Sequence, residues 1–282
     1  MKKLLMGLGL MFLAGCSSKL AYNNLDWLVY WYMDDYIELN DAQEKAFDKK
    51  LSGWMDWHRS QELQKYIEQL KTLRTDVEND NLTESQLLKH LSEATDHWHR
   101  VRNKLAPQLA AMAEKLEDEQ VIRLFAALEA DNKEEEEELQ ELLEESEEER
   151  AKDHLEDMEE DMEERLGDLT HEQKAIIARF SPRFTSTHAE WLQYRRDTQQ
   201  AARKLFATRQ SNPDFVADLT YVMTHPDEYR SESYQQHRAQ NRELYAQMAA
   251  AMAKTLTPEQ KHKLLRKIND TISDFEGFQQ DD

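Results

Sequence analysis

Five times in this chain a leucine is followed by a polar residue, two further residues and a glutamine: Leu39-Asn40-Asp41-Ala42-Gln43, Leu82-Thr83-Glu84-Ser85-Gln86, Leu116-Glu117-Asp118-Glu119-Gln120, Leu169-Thr170-His171-Glu172-Gln173 and Leu256-Thr257-Pro258-Glu259-Gln260. Each copy opens a stretch whose apolar residues recur at three- and four-residue steps, the period of an amphipathic helix. In four copies Asn or Thr stands at the N-cap position with Gln three residues on, the letters of a capping box, and Pro258 occupies a first helical position. The five copies therefore predict five helix starts. Little between them would break a helix: 282 residues hold only six glycines and five prolines, and Gly7, Gly9 and Gly15 fall in the first fifteen. Turn-rich β architectures need more punctuation than that. The strong helix formers Glu, Leu, Ala, Gln, Lys and Arg dominate, so the predicted fold class is all-α, an elongated multi-helix bundle. An apolar fraction of 39% suffices for a modest core.

A second echo suggests helical-hairpin units. Trp57-His58-Arg59 and Trp98-His99-Arg100 lie 41 residues apart, and their upstream Gln43 and Gln86 lie 43 apart. That spacing is the usual length of a helical-hairpin repeat.

The formal charge of −21 is concentrated in one segment. Residues 129–165 hold 21 acids against Lys133, Arg150, Lys152 and Arg165, a local net of −17. A thin apolar stripe of Leu139, Leu142, Leu143, Leu155, Met158 and Met162 runs through it, which predicts a long, solvated acidic helix. Glu148 with Lys152 and Asp161 with Arg165 have helix-supporting spacing. Gly167 is the expected break before the cap at Thr170, and Ser181-Pro182, Asn212-Pro213 and His225-Pro226 mark later boundaries. The tail after Ile272 is expected to fray. The predicted organisation is a signal peptide over residues 1–15, an N-terminal helical subdomain over 16–128, an acidic connector over 129–168 and a C-terminal helical subdomain over 169–282. So negative a field repels nucleic acid, and no nucleic-acid partner is expected.

The first residues supply an address. Lys2 and Lys3 precede an apolar run from Leu4 to Leu13, too short to span a bilayer and ordered like a secretory signal peptide. Its end, Leu13-Ala14-Gly15-Cys16, resembles the lipobox of bacterial lipoproteins. The resemblance implies cleavage before Cys16, thioether linkage of its sulfur to diacylglycerol and acylation of the new amino group, palmitate included. More than one acyl chain is enough for stable anchoring. Cys16 is the only cysteine, so no disulfide can form within the chain. Ser17 stands where lipoprotein sorting to the inner membrane favours Asp, so the resemblance points to the periplasmic face of the outer membrane.

Nine residues past Cys16 begins LDWLVYWYMDDYIEL, residues 25–39. Tyr22, Leu25, Val29, Tyr32 and Tyr36 form one helical stripe and Trp27 with Trp31 a second edge. Two apolar stripes predict a first core helix buried on both sides, with Asp34 and Asp35 at its wetter end. Those charges exclude a second membrane span.

The usual catalytic constellations are missing from the sequence. His90, Glu93 and His97 share a helix face but match a polar surface better than a metal site, and His97 and His99 point to different sides. His171-Glu172 begins like a zinc-protease motif, yet Ala175 stands where the second His is required. No Gly-x-Ser-x-Gly elbow or phosphate-cradling glycine loop occurs. Asp34 and Asp35 diverge by about 100 degrees on a helix, which suits a shared bond poorly. The two Trp-His-Arg triplets could make a cation–π shelf or pin helix ends to neighbours. No metal, cofactor or catalytic residue is expected.

Two family resemblances complete the reading. The lipobox, Tyr22-Asn23-Asn24-Leu25-Asp26-Trp27, the aromatic helix ending in Asp34-Asp35-Tyr36, Leu39 with Gln43, Trp57-His58-Arg59 with Tyr66, and a late Leu-Thr-x-Glu-Gln resemble an uncharacterised family of proteobacterial lipoproteins, a domain of unknown function. More narrowly, Leu82-Thr83 with Gln86, Leu169-Thr170 with Gln173 and Leu256-Thr257 with Gln260 resemble the Leu-Thr-x-x-Gln motif of helical periplasmic chaperones and stress sensors of the Spy and CpxP type. The first resemblance implies an all-helical envelope lipoprotein with no catalytic residue assigned, and the expectation for this chain is a lipoprotein anchored through Cys16 that works without catalysis, by binding, in envelope maintenance, assembly or chaperone-like protection, with an envelope protein as a partner of unknown identity. The competing expectation is an enzyme acting on envelope polymers such as peptidoglycan, with acids from the Asp34 to Glu38 region.

Overall fold

The computed structural model describes Tyr22 and residues 24–280. The expected signal peptide and Cys16 lie outside the described residues. Those described form helices and no strand. In chain order they are α1 (Leu25–Met33), α2 (Asp41–Trp57), α3 (Leu63–Glu78), α4 (Glu84–Ala113), α5 (Asp118–Glu144), α6 (Glu147–Leu166), α7 (His171–Phe180), α8 (His188–Thr208), α9 (Phe215–Thr224), α10 (Glu232–Ala253) and α11 (Pro258–Phe278). A π-helical turn, His58–Glu62, joins α2 to α3, and short 3₁₀ turns follow α7 and α9 at Pro182 and Pro226. All five predicted helix starts open helices: α2, α4, α5, α7 and α11.

Four of the five glutamines also do something the local motif does not require. Gln43 and Gln120 exchange hydrogen bonds through their carboxamides, at 3.0 and 2.7 Å, and Gln173 and Gln260 do the same at 2.7 and 2.9 Å. In every case Oε1 also accepts from the backbone N–H of its own N-cap residue: Asn40, Glu117, Thr170 or Thr257. Nε2 also donates to the carbonyl just before the partner's leucine: Lys115, Glu38, Thr255 or Asp168. One amide thus closes its own capping box and ties its helix start to another 77 or 87 residues away. Glu117, whose residue type is an uncommon cap, completes a full box, whereas Thr83 caps α4 through its hydroxyl alone and Gln86 joins no such pair.

Helices from the two halves of the chain pack directly on one another. α11 runs along α3, burying Ile67 and Val77 against Ile268 and Ile272, while α9 and α10 pack on α4. Around α9, Phe215, which is fully buried, meets Phe206 of α8 edge-on at 5.2 Å, with Leu219, Ala110 and Phe125 beside them. A third cluster joins α6, α7 and α10 through Met162, Leu166, Ile177, Phe180 and Met248. The chain between α6 and α7 turns at Gly167, whose φ of +93° most side chains avoid.

Three sequence expectations are corrected. The helix in residues 25–39 is not buried on two sides. It ends at Met33 and contributes Val29, Tyr30 and Met33 to a cluster around Phe47, Leu51 and Trp54 of α2, but leaves Trp27 63% and Trp31 56% exposed. Aromatic stripes report an apolar surface, not what covers it. The tail after Ile272 does not fray: α11 continues to Phe278, which is buried and stacks on Tyr22 at 4.4 Å. Finally, the acidic run occupies the second half of α5 and nearly all of α6, with a break at Glu145–Ser146. Ser146 and Glu149 make a capping box there, a signature present in the letters but hidden among acids. Asp161 pairs with Arg165 as expected, whereas Lys152 pairs with Glu156.

Gln173 is fully buried, so removing either member of its pair strands the other amide. Gln173→Ala should cost about 2–4 kcal/mol in urea denaturation, and the double change to leucine should cost less than the two single changes summed. A Gln173→Ala loss below about 0.5 kcal/mol would show the pair to be incidental.

Candidate functional site

A broad concavity lies between the acidic α5–α6 hairpin and the α7–α8 connection. It is an open groove of about 1610 Å³, walled by the end of α5 and the start of α6, and floored by residues 181–191 with Tyr234 and Asn241 of α10. Its walls exist because of specific local chemistry. The Ser146 cap turns α5 back as α6, and Arg150 donates to the Leu142 carbonyl at 3.4 Å, covering an exposed end of α5. On the floor Asn241 clamps the connecting loop, accepting from Thr185 N at 3.0 Å and donating to Thr185 O at 2.7 Å.

Leu142, Leu155, Phe184 and Trp191 present half-buried apolar surface to the groove. His154 meets Phe184 edge-on at 6.1 Å, and Arg195 lies over the Trp191 ring at 5.6 Å. His188 Nε2 is 3.4 Å from Glu135 Oε2, within ion-pair reach but without hydrogen-bond geometry. Arg195 binds Asp131 at 3.0 Å, and Arg196 binds Glu129 and Glu136, so α8 neutralises the inner face of α5. Glu138, Asp153 and Asp157 are exposed along the groove with Lys152 beside them, so its lining of four acids against Arg150 and Lys152 is negative on balance. Apolar patches among an excess of acids suit a segment carrying apolar side chains among basic ones.

The residues singled out in the sequence go elsewhere. His90 bonds Asp76 at 2.9 Å and His97 bonds Gln69 at 2.7 Å, so both stitch α4 to α3. Glu93 lies 3.9 Å from His90, and among the described residues no group of three or more His, Cys, Asp or Glu is arranged to hold a metal ion. Asp34 and Asp35 are exposed, Arg123 binds the Asp34 carbonyl at 3.0 Å and Glu38 at 2.8 Å, and none of these acids lines the groove. The two Trp-His-Arg triplets part company. Trp57 carries Lys104 over its ring, whereas Arg59 covers Tyr22. In the second triplet Arg100 reaches the buried Glu62 at 2.9 Å, and Trp98 is exposed. His99 is half-buried.

Around that π-helical turn the chain builds a second polar cluster. Tyr22 Oη is 2.8 Å from His58 Nδ1, and Tyr66 lies edge-on to both His58 and His97. Burial raises the Glu62 carboxyl, but hydrogen bonds from Lys65 and Arg100 outweigh it and hold the group below its ordinary value. Burial pushes His58 down to about 4, with Arg59 adding to the fall and Glu62 opposing it. The same burial raises Tyr22 and Tyr66 to about 12. These groups are held in single protonation states across neutral pH, which suits a structural joint better than acid–base chemistry.

The groove residues Phe184, Trp191 and Asn241 escaped the sequence reading because the groove exists only where residues 181–191 and α10 meet the acidic helices α5 and α6. Only Leu142 and Leu155, already visible as an apolar stripe among acids, signalled it.

The unfolded chain protonates His58 near pH 6.5 and the folded chain only near 4, so its contribution to stability is complete above 6.5 and is lost as pH falls through that window. The loss should approach about 3 kcal/mol at pH 4. His58→Gln, which keeps a partner for Tyr22, should flatten the fall in urea midpoint between pH 7 and 4. An unchanged slope would show that His58 is not the group responsible.

The chain belongs to a family of unknown function (DUF6279), matched over residues 35–235. No curated protein and no solved structure matches it.

Proposed function

We propose that this member of the family is a lipoprotein of the outer membrane, anchored through acylated Cys16 on the periplasmic face, and that it acts without catalysis by holding segments of other envelope proteins. The groove beneath the acidic hairpin carries this reading. Its volume exceeds what a small metabolite fills, Leu142, Leu155, Phe184 and Trp191 give it apolar patches, and acids outnumber basic residues in its lining. An unfolded or partly inserted envelope protein exposes such mixed basic and apolar segments, and an excess of acids keeps the holder itself from aggregating. The lipobox supports the address, and among the described residues no helix is long and apolar enough to cross a membrane.

The chain beginning at Ser17 should delay aggregation of a basic unfolded client at substoichiometric amounts, and added salt should weaken the effect. Phe184→Ala with Trp191→Ala should raise the concentration needed for half protection by about tenfold, the usual consequence of losing aromatic anchors. A circular-dichroism melt of the same variant shows whether the bundle survives. No protection of any client, together with release of fragments from purified peptidoglycan, would replace this reading with an enzymatic one. Cys16→Ala should leave the outer-membrane fraction, and its retention there would remove the anchor assignment.

A further inference from the structure

We infer that the exposed face of α1 formed by Trp27 and Trp31 docks into the zwitterionic headgroup layer of the membrane that carries the anchor. α1 uses Val29, Tyr30 and Met33 for the core and turns the two indoles, one helical turn apart, to solvent. The rings stack on each other with centroids 6.5 Å apart and planes 17° apart, presenting one continuous aromatic plate. They are the two most exposed aromatic side chains among the described residues. Indole is the ring best suited to a headgroup layer, since its flat body is apolar and its N–H needs a polar neighbour.

The chain's geometry supplies the partner. Tyr22 is 4% exposed and is fixed in the core by stacking on Phe278, with its hydroxyl on His58. Only six peptide units separate Cys16 from that fixed point, so the tether spans at most about 20 Å when fully extended. α1 begins three residues after Tyr22. Acylation at Cys16 would therefore hold the indole plate beside the bilayer surface at high effective concentration, where weak affinity is enough. Asp26, Asp34 and Asp35 are exposed on or next to this helix, which disfavours anionic lipid and selects a neutral headgroup such as phosphatidylethanolamine.

The inference rests on the anchored reading for its membrane, and two measurements keep the two apart. The mass of the protein purified from membranes reports acylation alone. The chain beginning at Ser17 keeps every described residue, and its tryptophan emission in vesicles of phosphatidylethanolamine and phosphatidylcholine with brominated acyl chains reports vesicle contact without the anchor, the part due to the face being what Trp27→Ala with Trp31→Ala removes. Saturable quenching that is insensitive to salt, and reduced about tenfold in apparent affinity by Trp27→Ala with Trp31→Ala, is the expected result. Equal quenching in that variant overturns the inference, as does vesicle binding that appears only with anionic lipid. Self-association abolished by the same two changes, without vesicle binding, overturns it in favour of a second copy of this chain. An unmodified Cys16 would remove the anchor and leave the vesicle result to stand or fall on its own.

Discussion

A buried primary amide must place two donors and at least one acceptor, and at Gln173 and Gln260 each side chain does so by using the other. The remaining valences go to the two helix starts themselves, through the cap N–H groups and the carbonyls before each leucine. Helix ends are where backbone groups most need outside partners, and here four such ends satisfy one another in two pairs. The arrangement fixes which ends meet. α2 is joined to α5 by the first pair, and α7 to α11 by the second. Hydrophobic clusters then fill the space those joints define, since apolar packing alone would tolerate several registers of so helical a chain.

Between the joined ends, charge does a different task. Glu62 is almost fully buried at the π-helical turn and is held by Lys65 and Arg100, so α4 is tied to the α2–α3 run by an ion pair that cannot be broken on one side without stranding a charge. α8 is tied to the acidic α5 by Arg195 and Arg196, which face Asp131, Glu129 and Glu136. The segment with a net charge of −17 is therefore two-sided, neutralised inward by arginine and free outward. That asymmetry lets the hairpin stand as a wall instead of being repelled from the body.

How much of this was legible follows from the range of each interaction. Helix starts at Asn40, Thr83, Glu117, Thr170 and Thr257 are written in five consecutive letters, because a cap is satisfied within its own first turn. Which caps pair is not written there, because that depends on which helices meet in three dimensions; Gln86 carries the same letters as its relatives and pairs with none of them. The two stripes of α1 gave the right helix and the wrong environment, since periodicity records apolarity on a face but not the medium it contacts. The fray expected after Ile272 failed for a related reason: Phe278 has its partner in Tyr22 and Phe275 in Tyr66, both far away in the sequence.

That last contact has a consequence for how the chain reaches its final form. Tyr22 and Phe278 stand 256 positions apart, so the stacking that anchors the first described residue waits on the last helix. A chain made from its N-terminus presents Tyr22 early and completes its packing only when α11 has followed. Shortening α11 by a single turn would thus strip a stacked ring from Tyr22, which lies far away in sequence but adjacent in space, and leave it to His58 and Arg59.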